Sequence, residues 1–112
     1  MNSLNESLKY KTLVCDWPGD KVVHIMSETS YCRVDVYEGE KHVAYLSGLY
    51  VVEIARNRGE GKELISFAQR IARVLGCTEV QLRVDETGWL SDWYKSLGFE
   101  VLPAPQWLQK TL

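Results

Sequence analysis

Apolar residues in the first half of the chain alternate with polar ones or cluster in short runs, as in β-strands. Around Cys32, apolar side chains at every second position alternate with tyrosine, arginine and aspartate, the period of a half-buried strand. Pro18-Gly19-Asp20 and Glu38-Gly39-Glu40 are turn signals between such runs. The pattern predicts four strands, at residues 10–17, 22–26, 31–37 and 42–52.

The fourth predicted strand, His42–Val52, is apolar on both faces, which indicates a strand in the centre of a sheet. Gly48 interrupts this run. A glycine inside a strand predicts a β-bulge or the close approach of another backbone. We therefore expect an irregularity in the middle of the central strand.

The second half of the chain has a helical period instead. Apolar residues form one stripe of a helix that begins near Gly61 and stops at Gly76. The stripe consists of Leu64, Ala68, Ile71 and Leu75. The remaining elements are predicted at residues 79–84 (strand), 88–97 (helix, capped by Thr87) and 99–102 (strand). This order of elements, β-β-β-β-α-β-α-β, is that of an α/β domain.

The end of the chain contains Pro103 and Pro105, which are expected to end regular structure. The tail beyond them is expected to pack on the domain through Trp107 and Leu108. With this tail included, the 112 residues are expected to form one domain, residues 1–112.

Composition restricts the possible partners. The net charge is −2, so no overall basic field favours nucleic acid or an anionic membrane, and any anion site must be local. The sequence has no apolar run long enough to span a membrane and no secretory signal, and its three cysteines are far apart. A cytoplasmic protein with reduced thiols and no structural metal is expected.

A local anion site is indicated between the fourth strand and the first helix. Arg56, Arg58, Gly59 and Gly61 precede or open the helix, where unpaired backbone N–H groups and the helix dipole favour a phosphate. A Walker A loop is excluded because Gly61-Lys62 is followed by glutamate. The loop also departs from the dinucleotide-binding fingerprint, because the third glycine of that pattern is missing here, although Asp85 stands where a ribose-binding carboxylate is expected. The remaining pattern is Arg-x-x-Gly-x-Gly.

Two stretches carry a resemblance to a known family. "LYVVEIARNRGEGKEL" resembles the central strand, loop and helix of GNAT-superfamily N-acetyltransferases, and "WYKSLGF" resembles their second common motif. The resemblance covers about residues 42–102. It implies a single GNAT-like domain with a mixed, mostly antiparallel sheet. It also implies an acyltransferase that moves acetyl from acetyl-CoA to an amine by direct attack, without a metal or an acyl-enzyme cysteine.

The resemblance also implies roles for individual residues. Tyr94 corresponds to the family's general acid, which protonates or stabilises the leaving thiolate. The main chain at Leu49 and Val51 is expected to pair with the pantetheine arm as an added strand. The pyrophosphate is expected at the loop, with the Glu60 side chain turned outward. The loop residues implied are Arg56, Asn57, Arg58, Gly59, Glu60, Gly61 and Lys62.

The general base is left open among Glu53, Asp85 and Glu86, since each stands near a strand end that faces the predicted cleft. His24 and His42 are expected to be structural or surface residues, and Cys77 a buried thiol.

The sequence departs from the family in two places. No helix is predicted between the first two strands, where the family's acceptor-binding helices usually stand, and the family's asparagine is missing around Thr87-Gly88. The acceptor is therefore left open as a small molecule, a peptide or a protein, and a homodimer is possible. The alternative is a non-catalytic module of GNAT fold that binds CoA or a protein. A nucleic-acid-binding domain is disfavoured by charge.

Overall fold

The computed structural model describes residues 9–53, 56–84, 89–103 and 107–112. Its first four strands form antiparallel neighbours in chain order. A two-residue turn, Pro18-Gly19, joins the first pair, and a short 3₁₀ turn at Glu38–Glu40 joins the last pair. The four predicted strands are confirmed as β1 (Lys11–Trp17), β2 (Asp20–Met26), β3 (Ser30–Val36) and β4 (Val43–Val51).

The chain then crosses over through helix α1 (Glu60–Val74) to β5 (Glu79–Arg83), which lies parallel to β4. Helix α2 (Trp89–Ser96), β6 (Glu100–Val101) and β7 (Trp107–Thr111) complete the fold. The seven strands form one sheet in the order β1-β2-β3-β4-β5-β7-β6. The prediction that β4 is central is confirmed, and the sheet is mixed and mostly antiparallel.

Helix α1 forms where the sequence predicts it because one apolar stripe is buried along its length. Leu64, Ile65 and Ala72 are almost fully buried in the core. The helix ends in a Schellman motif, in which the N–H of Cys77 donates to the Ala72 carbonyl and Gly76 has φ 89°. Glycine is suited to this left-handed position because it has no Cβ to clash. The predicted stop at Gly76 is confirmed.

One face of the sheet carries the core, and both helices pack on that face. On β3 the side chains of Cys32, Val34 and Val36 point into the core, while Tyr31 and Arg33 point to the opposite face. No helix in the described part of the chain covers this opposite face. We call it the open face. The two-residue turn between β1 and β2 leaves no room for a helix there, as the sequence predicts.

The tail differs from the expectation. Pro103 and Pro105 were predicted to end regular structure, but β7 follows them and inserts between β5 and β6. Leu108 is 2% exposed and pairs with Leu82. This strand gains its stability from burial and from ladder hydrogen bonds on both sides, which a five-residue segment cannot reveal by itself. Thr87, the predicted cap of α2, lies outside the described residues.

Because the Cys32 thiol is buried, we expect the folded protein to lose stability at alkaline pH. Burial raises the pKa of Cys32 from 9.0 to about 12. The folded protein therefore holds this proton more tightly than the unfolded chain does, and the resulting stabilisation is complete below pH 9 and disappears as the pH approaches 12. We expect the wild type's advantage in unfolding free energy over Cys32→Ala to shrink across this range, as measured by urea denaturation. A difference that stays constant with pH would contradict this assignment.

Candidate functional site

The centre of the sheet opens where β4 and β5 separate. Their parallel ladder runs from Val43↔Glu79 to Leu46↔Leu82, and β4 then continues to Val51 without pairing to β5. Main-chain groups of β4 beyond Leu46 are consequently free of β5 on this side. The two strands therefore splay apart beyond this point.

The predicted irregularity at Gly48 is a β-bulge. The register between β3 and β4 shifts so that Arg33 faces Ser47 while Tyr31 faces Tyr50, which places one extra residue on β4. Gly48 has φ 65°, and a Cβ there would lie 3.2 Å from the Tyr31 ring. The bulge thus needs glycine both for its backbone conformation and for the close approach of Tyr31.

A cleft of about 400 Å³ occupies the gap between the separated strands. It is small but lies within the size range of ligand sites. Main chain from the bulge forms one wall, and α2 supplies the opposite wall with Leu90 and Tyr94. We call this gap the splay cleft. Its lining residues are Leu46, Ser47, Gly48, Leu49, Leu82, Arg83, Leu90 and Tyr94.

Tyr94 is held rigidly in the splay cleft. Its ring packs edge-on against Trp93 and Phe99, with centroid distances of 5.0 and 5.6 Å, and the residue is 7% exposed. Burial, with a smaller contribution from the Cys32 thiol, raises the pKa of Tyr94 to about 12. Its hydroxyl has no hydrogen-bond partner among the described residues. At neutral pH it is therefore a protonated donor that lines a cleft.

The loop before α1 presents backbone donors at the end of β4. Asn57 and Gly59 both have positive φ, 64° and 78°, which turns the chain sharply into the helix. Gly59 is the N-cap residue, and no side chain caps the helix. The first N–H groups of α1 have no partner within the helix and face outward with the positive end of its dipole.

Two arginines of this loop differ in their surroundings. Arg56 donates from Nε to the Val51 carbonyl at 2.8 Å, and its guanidinium lies 5.7 Å from the centroid of the Tyr50 ring. This residue therefore ties the loop to the end of β4. Arg58 is exposed and has no hydrogen bond or ion pair to any residue in the described ranges. It is the more available of the two cations.

The acidic residues in the first turn of α1 are directed away from its N–H groups. Thr29 donates to Glu60 Oε1 at 2.6 Å, while Lys9 lies 3.8 Å from the same carboxylate and 2.7 Å from that of Glu63. The Glu60 side chain is only 11% exposed, so the expectation that it turns outward is wrong. It is drawn toward the β2–β3 connection, and its charge is partly balanced by Lys9.

A family model described as an acetyltransferase (GNAT) domain matches residues 10–101. The chain belongs to the GNAT acetyltransferase family. Because the GNAT sheet is mostly antiparallel and its loop follows a splayed strand, the dinucleotide-binding alternative no longer applies. Comparison with curated proteins gives no match.

Solved GNAT structures share the fold at low sequence identity. An acetyltransferase from Staphylococcus aureus Mu50 has a TM-score of 0.67 and 13% identity, covering 84% of this chain and 68% of its own. A GNAT family acetyltransferase from Elizabethkingia anophelis with acetyl-CoA bound has a TM-score of 0.67 and 12% identity, covering 85% of this chain and 78% of its own. A PaiA N-acetyltransferase from Thermoplasma acidophilum in complex with coenzyme A has a TM-score of 0.67 and 18% identity. The match covers 84% of this chain and 62% of the PaiA chain. At these identities the likeness concerns the fold alone.

The GNAT fold places an unexpected aromatic ring beside the helix N-terminus. A Cβ on Gly61 would lie 3.3 Å from the Trp93 ring and 3.9 Å from Val51. Gly61 was predicted only as an N–H donor, but its small size also admits Trp93 between the two helices. The contact between Gly61 and Trp93 is hard to predict from the sequence, because Trp93 fits the helical pattern simply as another apolar residue of α2.

Other predicted residues lie apart from the splay cleft. His24 shares a 2.7 Å hydrogen bond between Nδ1 and the Tyr31 hydroxyl, and His42 lies 3.7 Å from Glu79, so both have local partners as expected. Cys77 is buried, as predicted. Glu53 is exposed just beyond β4. Asp85 and Glu86 lie outside the described residues, so their candidacy as base stays a prediction.

A second cleft, of about 580 Å³, opens on the open face. Sequence reasoning missed it because its walls come from β3, β4, β5, β7 and the 3₁₀ turn, which are distant along the chain. We call it the aromatic cleft. It shares Leu46, Ser47, Gly48 and Arg83 with the splay cleft, so the two meet at the bulge. Its other lining residues are Asp35, Tyr37, Glu40, Tyr45 and Trp107.

Within the described ranges, no cluster of histidine, cysteine and acidic residues has the arrangement needed to hold a metal ion. None of the helices in those ranges is both long and apolar enough to cross a bilayer.

Proposed function

We propose that this GNAT protein is an N-acetyltransferase that moves acetyl from acetyl-CoA to an amine by direct attack in a ternary complex. The observation that supports it best is the splay cleft, in which main chain of β4 that does not pair with β5 lies opposite the hydroxyl-bearing ring of Tyr94. An extended pantetheine arm needs main-chain partners, and a thioester needs a donor near its sulfur. One cleft offers both.

The acyl donor would bind by its two ends. The main chain at Leu49 and Val51 would pair with the pantetheine amides. The pyrophosphate would lie at the loop, held by amides of residues 57–61 and by the positive charges of Arg56, Arg58 and Lys62. The uncapped N-terminus of α1 supports this assignment, because a helix end without a capping side chain has donors to offer an anion.

The reaction would need little from the protein beyond position and polarity. The amine's lone pair attacks the thioester carbonyl carbon, the carbon–sulfur bond breaks, and its electron pair leaves on sulfur. Because the pKa of Tyr94 is about 12, well above that of an ordinary thiol, its hydroxyl is a better hydrogen-bond donor to the developing thiolate than a full proton donor. The amine's proton passes to water or to a carboxylate such as Glu53.

An acyl-enzyme route has less support. Neither cleft is lined by a cysteine, and the thiols of Cys32 and Cys77 are buried with raised pKa values. A buried thiol with a raised pKa holds little of the thiolate needed for nucleophilic attack.

The donor site is tested by ligand-dependent stability. At about 100 times its dissociation constant, acetyl-CoA should stabilise the fold by about 2.7 kcal/mol and raise the melting temperature. Pantetheine without its phosphates should do far less at the same concentration, because it cannot reach the loop before α1. Equal shifts for both ligands, or no shift for either, would refute the loop assignment. The measurement is differential scanning fluorimetry with calorimetric titration.

The alternative is a non-catalytic module of the same fold that binds CoA or a protein. The short β1–β2 turn favours it, because no described helix covers the open face where an acceptor would bind. Tight acetyl-CoA binding without acetyl transfer to any amine in a broad screen would support this alternative and reject the enzyme.

A further inference from the structure

The aromatic rings that line the aromatic cleft are tilted relative to one another. The rings of Tyr37 and Tyr45 are 5.5 Å apart and tilted by 49°, while Tyr45 and Trp107 meet edge to face at 5.9 Å. Tyr37 is 42% exposed, so its ring stands at the rim. Aromatic faces carry negative potential, and several of them around one cleft favour a cation that is partly desolvated.

The carboxylates of this cleft are not equivalent. Arg33 binds Asp35 with both Nε and Nη2, at 2.7 and 2.8 Å, which balances the Asp35 charge. Glu40 instead accepts a 2.8 Å hydrogen bond from the neutral Tyr45 hydroxyl. Arg83 lines the cleft at its junction with the splay cleft. The acidic end of the aromatic cleft is therefore at Glu40 in the 3₁₀ turn, whereas the junction with the splay cleft is at the bulge.

The chemistry of acetyl transfer decides which cation this cleft would hold. An amine must be neutral to attack a carbonyl carbon, so an aromatic and acidic site would hinder the reacting nitrogen by stabilising its protonated form. Such a site helps only if it holds a second, non-reacting ammonium of the same molecule. The two clefts meet at Ser47 and Gly48, so one ligand could reach from Glu40 to the splay cleft.

We infer that the aromatic cleft binds one ammonium of a small aliphatic diamine against Tyr37, Tyr45, Trp107 and Glu40, and presents the other amine at the splay cleft. The cleft volume of about 580 Å³ suits a small molecule. The role of the diamine as an acetyl acceptor rests on the proposed function, whereas its binding to the aromatic cleft does not depend on that function.

The test compares aliphatic α,ω-diamines with uncharged α,ω-diols of the same carbon count. Binding is measured by calorimetry on the full chain saturated with CoA, and acetyl transfer is measured separately. We expect diamines to bind at least about tenfold more tightly than matched diols, because only the diamine brings an ammonium to the cleft. Glu40→Gln keeps an oxygen for the Tyr45 hydroxyl but removes the charge, and it should abolish most of this preference.

Two further variants make the test specific. Tyr37→Leu removes a rim ring from an exposed position and should lower the diamine preference by about threefold. Glu38→Gln removes a carboxylate from the same 3₁₀ turn but outside the cleft lining, and it should leave the preference unchanged.

The outcomes separate the two proposals. Equal binding of diamines and diols, or a preference that survives in Glu40→Gln, would overturn the inference whether or not acetyl transfer occurs. Stronger binding of a lysine-containing peptide than of any diamine would overturn it in favour of a protein acceptor. Diamine binding that depends on Glu40, together with no acetylation of any amine in the broad screen, would uphold the cation site and reject the proposed enzyme.

Discussion

Tyr94→Phe is expected to lower acetyl transfer by at least about tenfold while leaving acetyl-CoA affinity nearly unchanged. The substitution keeps the ring that packs against Trp93 and Phe99 and removes only the hydroxyl that would donate to the leaving sulfur. Loss of one donor to a developing charge commonly lowers turnover by about 10²–10³-fold, and partial replacement by water would reduce this effect. The measurements are steady-state kinetics with the best amine acceptor, and CoA titration in parallel.

Tyr10→Phe is the matched control for this variant. Tyr10 is also buried and stacks on Phe67 at 4.8 Å, but its hydroxyl has no hydrogen-bond partner among the described residues. Its replacement should leave turnover unchanged and should not lower stability, because an unpaired buried hydroxyl is itself unfavourable. If Tyr94→Phe and Tyr10→Phe have equal turnover, then Tyr94 is only a packing residue.

Arg58→Glu is expected to lower acetyl-CoA affinity by at least about tenfold without unfolding the protein. Arg58 is exposed and lies two residues before the N-terminus of α1, so reversal of its charge acts on the proposed pyrophosphate site with little effect on packing. Arg56 is a poorer probe, because it also holds the Val51 carbonyl. Affinity is measured by calorimetry at several salt concentrations, since the Arg58 contribution should weaken as salt rises.

Arg73→Glu provides the control for this charge reversal. Arg73 is an exposed arginine in the last turn of the same helix, so the net charge changes equally but at the opposite end. This variant should bind acetyl-CoA like the wild type, although it should lose some stability at the negative end of the helix dipole. Equal losses of affinity in both variants would indicate a non-specific charge effect and no anion site at the loop.

Local patterns along the chain were sufficient for most elements. The first four strands, α1 and the stop at Gly76 were predicted because alternation, an apolar stripe and a left-handed glycine are all encoded within a few residues. Both motifs that resemble the GNAT family are also local, and the family match confirms them. The bulge at Gly48 was predictable because a glycine inside a strand often marks a β-bulge or the close approach of another backbone.

Pairings between distant segments were not predictable in the same way. Strand β7 is stable because it fills the gap between β5 and β6, and its own sequence does not specify that position. The direction of Glu60 depends on Thr29 and Lys9, which approach it only in the folded chain. The contact between Gly61 and Trp93 likewise requires the two helices to share one face.

The sequence by itself determined the local units of this protein: its strands, its main helix, the turn into that helix and the two motifs of the GNAT family. Only the tertiary structure decided where β4 and β5 separate, how Tyr94 comes to line the resulting cleft, and that the open face carries a second cleft with a carboxylate at one end. The physical reason is that backbone conformation is set by neighbours in sequence, whereas clefts form between side chains that only packing brings together.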